Sequence, residues 1–152
     1  MNIVYEESLW TTPVPRETFA PWLKPRSNKV KVVRDWRVWV DGELFTVPKG
    51  YVLDWSSTPR LAWILFPPSY SEARHPAALH DYFYSHLWPH YSRRFADQVF
   101  RQMMLDEGAN CVVAALFYVS VRAGFGGGWN KVRRRNAHPF WRAHLEESRR
   151  LG

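Results

Sequence analysis

At 152 residues the chain is long enough for one domain with a real core and too short for two comfortable ones. A hydrophobic fraction of 46% with 23% charged residues excludes wholesale disorder, and a single cysteine, Cys111, excludes an internal disulfide and any cysteine-built zinc site. The net charge of +7 is compatible with nucleic acid, anionic lipid or cell-wall polymers and selects none of them.

Residues 1–29 contain Pro13, Pro15, Pro21 and Pro25, which break regular structure. The segment reads as an extended arm laid over the domain, anchored by Trp10, Phe19 and Trp22. A core domain over 30–124 follows. In it Val30 and Val32, then Trp36, Val38 and Val40, alternate with polar residues as half-buried strands do. Asp41-Gly42 marks a hairpin, Leu44 to Val47 is the returning strand, and Tyr51 to Leu53 is a further short one. Ser56 to Pro59 is a helix start, from which a short helix runs to about Phe66 before Pro67-Pro68 stops it.

Three longer helices are expected next. The first begins near Ala73 or Pro76 and runs through Leu87; the second is capped by Ser92 and stopped by Gly108. The third runs from Asn110 to Gly124 and is apolar nearly all round, which places it at the centre of the bundle with Cys111 as a buried small hydrophobe. Its most apolar stretch, Cys111 to Val121, falls short of the ~20 residues that a bilayer span needs, so no transmembrane segment is expected. Residues 125–152 read as a glycine-rich connector and a basic C-terminal helix from about Pro139 to Arg149. The fold class is α+β, a small antiparallel β-sheet followed by a bundle of about three to five helices.

Chemistry concentrates on the first two long helices. His80 and Tyr84 share a helix face, and Asp81 is rotated from them by about 100°. The next helix runs back antiparallel and carries Asp97, at the edge of the helix pair, within reach of a ring nitrogen of His80. A carboxylate on one nitrogen of a histidine fixes its tautomer and leaves the other to take a proton from water. Asp81 is then available to a divalent cation that polarises a substrate oxygen. The competing reading is structural. Arg93 and Arg101 stand four residues either side of Asp97, as in an ordinary surface ion pair, and His80 is then a satisfied core histidine. His86 and His90 fit a solvated linker better than a metal site, and His75 lies near the helix start. Upstream, capping explains most of Asp54-Trp55-Ser56-Ser57-Thr58-Pro59-Arg60, and Arg60 and Ser57 are candidate substrate-binding residues from that segment. No Gly-x-Ser-x-Gly elbow or His-Glu-x-x-His motif occurs, which argues against the common serine-hydrolase and zinc-protease classes.

The ordered set Val47-Pro48-Lys49-Gly50-Tyr51, Asp54, Ser57, Pro59-Arg60, Ala78-Leu79-His80-Asp81-Tyr82-Phe83-Tyr84 and Ala96-Asp97 with Phe100 resembles a family of phage and prophage proteins, domain of unknown function 1353. The resemblance covers about Phe45 to Gly124 and implies a bacteriophage or prophage origin without an activity. Separately, His80-Asp81-x-x-Tyr84 followed by Asp97 resembles the secreted phospholipase A2 active site. That likeness implies His80 as the base, Asp97 as its orienting carboxylate, Tyr84 as a supporting donor and Asp81 as a calcium ligand. The phospholipases carry a glycine-rich calcium loop and disulfides that this sequence lacks, so Asp54 would take the loop's place as a ligand.

The expectation is a phage protein made in the host cytoplasm, with the virion as a second location, acting as a metal-assisted hydrolase of envelope lipid or peptidoglycan in entry or lysis. The alternative is a non-enzymatic virion or tail-associated protein that binds other tail or virion proteins. Nucleic acid ranks low as a partner, because Trp129 with Lys131 to Arg135 forms no recognised binding motif.

Overall fold

The computed structural model of the chain describes residues 1–14, 29–54, 71–88 and 90–123. The short helix expected up to Phe66, including Ser57 and Arg60, lies outside these residues, as do the connector and the basic C-terminal helix.

The strands follow the alternation in the sequence. In β4 (Trp36–Val40) the side chains of Trp36, Val38 and Val40 are buried while Arg37 and Trp39 are exposed. Asp41 and Gly42 both take positive φ, 49° and 84°, which is the twist a two-residue hairpin needs, and β5 (Glu43–Val47) returns with Trp36 opposite Val47. Two strands come from the segment read as an extended arm. β1 (Ile3–Tyr5) pairs antiparallel with β4, giving a three-stranded sheet in the order β1-β4-β5. β2 (Thr11–Pro13) joins β3 (Lys29–Val32), which also pairs with β6 (Val52–Asp54) in a second antiparallel sheet, β2-β3-β6.

A single 3₁₀ turn (Ser71–Ala73) leads into α1 (Arg74–Tyr82), which widens to π-helix over Phe83–Leu87. Ser92 caps α2 (Arg93–Asp106) by accepting a hydrogen bond from the Phe95 N–H at 3.1 Å. Gly108, at φ 93°, ends that segment, since a left-handed residue past a helix terminus favours glycine. The Asn110 carboxamide then accepts from the Val112 N–H at 2.8 Å and opens α3 (Cys111–Ala123). The architecture is α+β, two small antiparallel sheets and three helices.

Two apolar clusters join these parts. Val32, Trp36, Val38, Phe45 and Val47 from the sheets meet Leu79 and Phe83 of α1 with its π segment, and Ala96, Val99 and Met103 of α2. At roughly 1.5–3 kcal/mol for each large side chain removed from water, this cluster is the main source of cohesion between sheets and helices. A second cluster, built on Phe100, Met104, Ala114 and Phe117, joins α2 to α3. The position of α3 corrects the expectation of a central helix. It packs on α2 through Ala114 and Phe117 and leaves Val112 (62%), Leu116 (43%) and Val119 (57%) exposed. Cys111 is likewise exposed rather than buried.

Candidate functional site

Asp97, Phe100 and Met104 lie at i, i+3 and i+7, on one stripe of α2 beside the residues that face the sheets. Packing that buries the two apolar side chains draws the carboxylate in with them. Asp97 has no exposed surface, deeper than the edge position its spacing suggested. From α1, Leu79 and Phe83 fix the helix against the sheets, which turns the adjacent His80 toward the same stripe. The His80 ring lies 5.1 Å from Phe100 and 4.2 Å from Tyr84, centroid to centroid.

The polar contacts are short. His80 Nε2 is 2.8 Å from Asp97 Oδ1, and the Tyr84 hydroxyl donates to the same oxygen at 2.7 Å. On the other oxygen, Arg122 Nη1 donates to Oδ2 at 3.2 Å, and Arg93 Nε stands 3.7 Å away. Burial pushes the Asp97 carboxyl up, but the hydrogen bonds from His80 and Tyr84, the electrostatic attraction of the ring and the Arg122 bond together hold it below the ordinary carboxylate value. The group is therefore an anion, and the ring nitrogen facing it is a donor, Nε2–H. Burial and the bond to Asp97 push the Tyr84 phenol well above its usual range, so it stays a donor as well. Among the described residues His80 Nδ1 has no hydrogen-bond partner, and the residue is 9% exposed.

A second histidine–carboxylate pair supplies a comparison. His75 Nδ1 is 2.8 Å from Glu107 Oε1, and its Nε2 accepts the Leu9 backbone N–H at 3.3 Å. The ring stacks on Trp36 with centroids 5.6 Å apart. Both ring nitrogens are consumed, so this pair ties the N-terminal segment and α1 to the end of α2 and has no lone pair left for chemistry.

The structure thus brings His80, Tyr84 and Asp97 into one hydrogen-bonded group. Asp81 follows His80 on α1; its charge, after burial, helps raise the Tyr51 phenol above its usual range. Asp54 ends β6, and Arg60 and Ser57 lie outside the described residues. The competing ion pair is half present: Arg93 reaches Asp97, while Arg101 is exposed and makes no contact with it among the described residues. Arg122, which sequence reasoning missed, takes that place from α3. Its signal was a single charge in the otherwise uncharged helix CVVAALFYVSVRA. His86 Nδ1 meets Ser85 Oγ at 2.7 Å and its ring stacks on Tyr82. Among the described residues no group of three or more His, Cys, Asp or Glu is placed to hold a metal ion. No helix there is long and apolar enough to cross a membrane.

Neither the curated proteins nor the solved structures contain a significant match to the chain. One family model does match it, over residues 27–121, a span that holds His80, Asp81, Tyr84 and Asp97 and stops one residue before Arg122. That span is well over half of the 152 residues, and the chain belongs to the family described as protein of unknown function DUF1353.

Proposed function

We propose that this is a bacteriophage or prophage hydrolase of envelope material, lipid or peptidoglycan, acting in entry or lysis with His80 as its base. One observation carries the reading: Asp97 holds Nε2 of His80, and Nδ1 has no partner among the described residues. With Nε2–H donated to Asp97, the lone pair on Nδ1 takes a proton from water as the water oxygen attacks the substrate. Asp97 offsets the charge of the imidazolium that forms, and the ring returns the proton to the leaving group, the oxygen of an ester or the nitrogen of an amide. Tyr84 holds Asp97 from the same side and so orients the ring through it. The likeness to the phospholipase A2 motif is supported by two pairings, Asp97 with His80 and Tyr84 with Asp97. The phage assignment rests on the resemblance of the motif set, and a net charge of +7 favours anionic envelope polymers.

A divalent cation, calcium before others, belongs to the same proposal with Asp81 and Asp54 as ligands. Calcium takes six to eight oxygen ligands, and among the described residues no group of three or more His, Cys, Asp or Glu is placed to supply part of such a set. The steps above therefore use the chain's own groups alone. The test is hydrolysis of phospholipid vesicles and of purified peptidoglycan by wild type and His80→Ala, each with calcium and with chelator. Release of product by wild type and its loss in the variant are expected; equal release by the two proteins overturns the reading.

One observation favours the second reading, a non-enzymatic virion or tail-associated protein. Val112, Leu116 and Val119 form an exposed apolar stripe of the kind a protein partner covers. On that reading His80→Ala lowers stability and leaves the function of the folded protein intact.

A further inference from the structure

Asp97 meets more positive charge than it can neutralise. Two guanidinium groups converge on Oδ2, Arg122 at 3.2 Å and Arg93 at 3.7 Å, against a single carboxylate. The two arginines are employed differently. Arg93 is consumed by the fold: Nε donates to the Tyr84 hydroxyl at 3.2 Å, and Nη2 donates to the carbonyls of Val121 and Arg122 at 2.6 and 2.9 Å. It thereby pins the start of α2 to the last turn of α3 and satisfies carbonyls that the helix end leaves without intrahelical donors. Arg122 has one hydrogen-bond partner among the described residues, Asp97, and its side chain is 39% exposed. A guanidinium presents five N–H donors in a rigid fork, so Arg122 gives Nη1 to Asp97 and keeps donors that have no partner among the described residues.

Neutralising Asp97 does not require this second arginine. The carboxylate already has Arg93 within ion-pair distance and two hydrogen bonds from His80 and Tyr84. What Arg122 adds is a positive charge that no second carboxylate among the described residues matches, part exposed, on the oxygen opposite the one that holds His80. We propose that the open edge of Arg122 binds an oxyanion of the substrate, a phosphate or carboxylate oxygen, beside the His80–Asp97 pair. The inference rests on the hydrolase reading for its meaning, and it makes the substrate anionic near the bond that reacts. Arginine suits the task because its fork can meet two oxygens of one phosphate or carboxylate at once. Both anions share that chemistry, so the experiment has an arm for each.

The full chain is titrated with inorganic phosphate, and separately with acetate, at low ionic strength. Binding is followed by calorimetry and by the Nε–H resonances of the arginine side chains. At least one of the two anions should shift the Arg122 resonance and leave that of Arg93 in place. Phosphate alone points to a phosphoester substrate, acetate alone to a carboxylate. Arg122→Gln should weaken binding about tenfold or more, the scale of one lost charge-assisted hydrogen bond. Arg101→Gln, which removes an exposed charge from the same helix as Asp97, should leave it unchanged. If neither anion moves the Arg122 resonance, or if Arg101→Gln weakens binding as much as Arg122→Gln, the proposal is overturned. Should Arg122→Gln not fold, the wild-type resonances decide. None of these measurements needs turnover, so an anion site can stand or fall independently of the hydrolysis test on His80.

Discussion

The most informative perturbation is at Asp97, compared as Asp97→Asn and Asp97→Ala. The side chain is fully buried and receives hydrogen bonds from His80, Tyr84 and Arg122, with Arg93 at ion-pair distance. Alanine removes the acceptor from all of them and leaves a cavity. Breaking a buried charged group by deleting one partner costs about 3–5 kcal/mol, against a total stability of roughly 5–15 kcal/mol for a domain of this kind. Because the side chains of Arg93 and Arg122 are 21% and 39% exposed, they can rehydrate, and about 3 kcal/mol is the expected loss. Asparagine keeps the volume and one carbonyl oxygen for His80 and Tyr84 but turns an N–H₂ toward Arg122, donor against donor. A loss of about 1–2 kcal/mol follows. Urea unfolding at pH 7 measures both, with the slope of each transition unchanged. Acid adds a second check. A carboxyl whose folded pKa is depressed stabilises the fold fully above its unfolded value, 3.8, and loses that contribution as pH falls through the lower folded value. The gap between wild type and Asp97→Asn should therefore close as pH falls below 3.8. An alanine variant within about 0.5 kcal/mol of wild type, the range of ordinary surface substitutions, would refute the account of this carboxylate.

Three further outcomes are expected. His80→Ala should lower hydrolysis by about 10²–10⁴-fold, the usual contribution of a general base, and lower stability by only about 1–2 kcal/mol, since Asp97 keeps its other donors; kinetics and urea titration of the same preparation separate the two effects. Trp36→Ala should cost about 3–5 kcal/mol by thermal or urea unfolding, because Trp36 is 1% exposed and also loses the bond from its indole N–H to the Glu7 carbonyl. The Tyr91 phenol, pushed up to about 12 by its hydrogen bond to Glu43, should titrate there by ultraviolet absorbance, and Glu43→Gln should bring it back toward 10.0.

What the sequence discloses about this fold is what neighbours along the chain decide. Trp36, Val38 and Val40 show their buried face because a strand repeats every two residues, and Asp41-Gly42 shows the hairpin because its backbone needs positive φ. Ser92 and Gly108 bracket α2 through backbone groups one turn away. His80 and Tyr84 are likewise a local pair. The contacts hidden from such reasoning span distant segments. Arg122 lies 25 residues from Asp97, and Glu107 lies 32 from His75, so nothing in either segment names its partner. Arg93 and Arg101 are equivalent by spacing from Asp97, and only the packing of α3 against the start of α2 separates them. The apolar pattern of α3 misleads for a related reason. A helix apolar on all sides is consistent with a central place, whereas Val112, Leu116 and Val119 face outward here.

The two histidine–carboxylate pairs show why geometry has to be read to the second nitrogen. His75 and His80 lie five residues apart on one helix, each 2.8 Å from a carboxylate oxygen on or just past α2. By distance and residue type they are indistinguishable. Their roles part at the other side of the ring. The backbone N–H of Leu9 occupies His75 Nε2, and Leu9 lies between β1 and β2, which are held by their pairing with β4 and β3. Any proton added to that nitrogen must first break the contact, which makes His75 a strut between layers. His80 faces the helix stripe of Asp97 and Phe100, away from those strands, and no described backbone donor reaches its Nδ1. A base needs a lone pair that the fold has not already used. Of the two rings, only His80 has a nitrogen without a partner among the described residues, and the phenol and guanidinium groups around Asp97 fix the carboxylate that holds its other nitrogen.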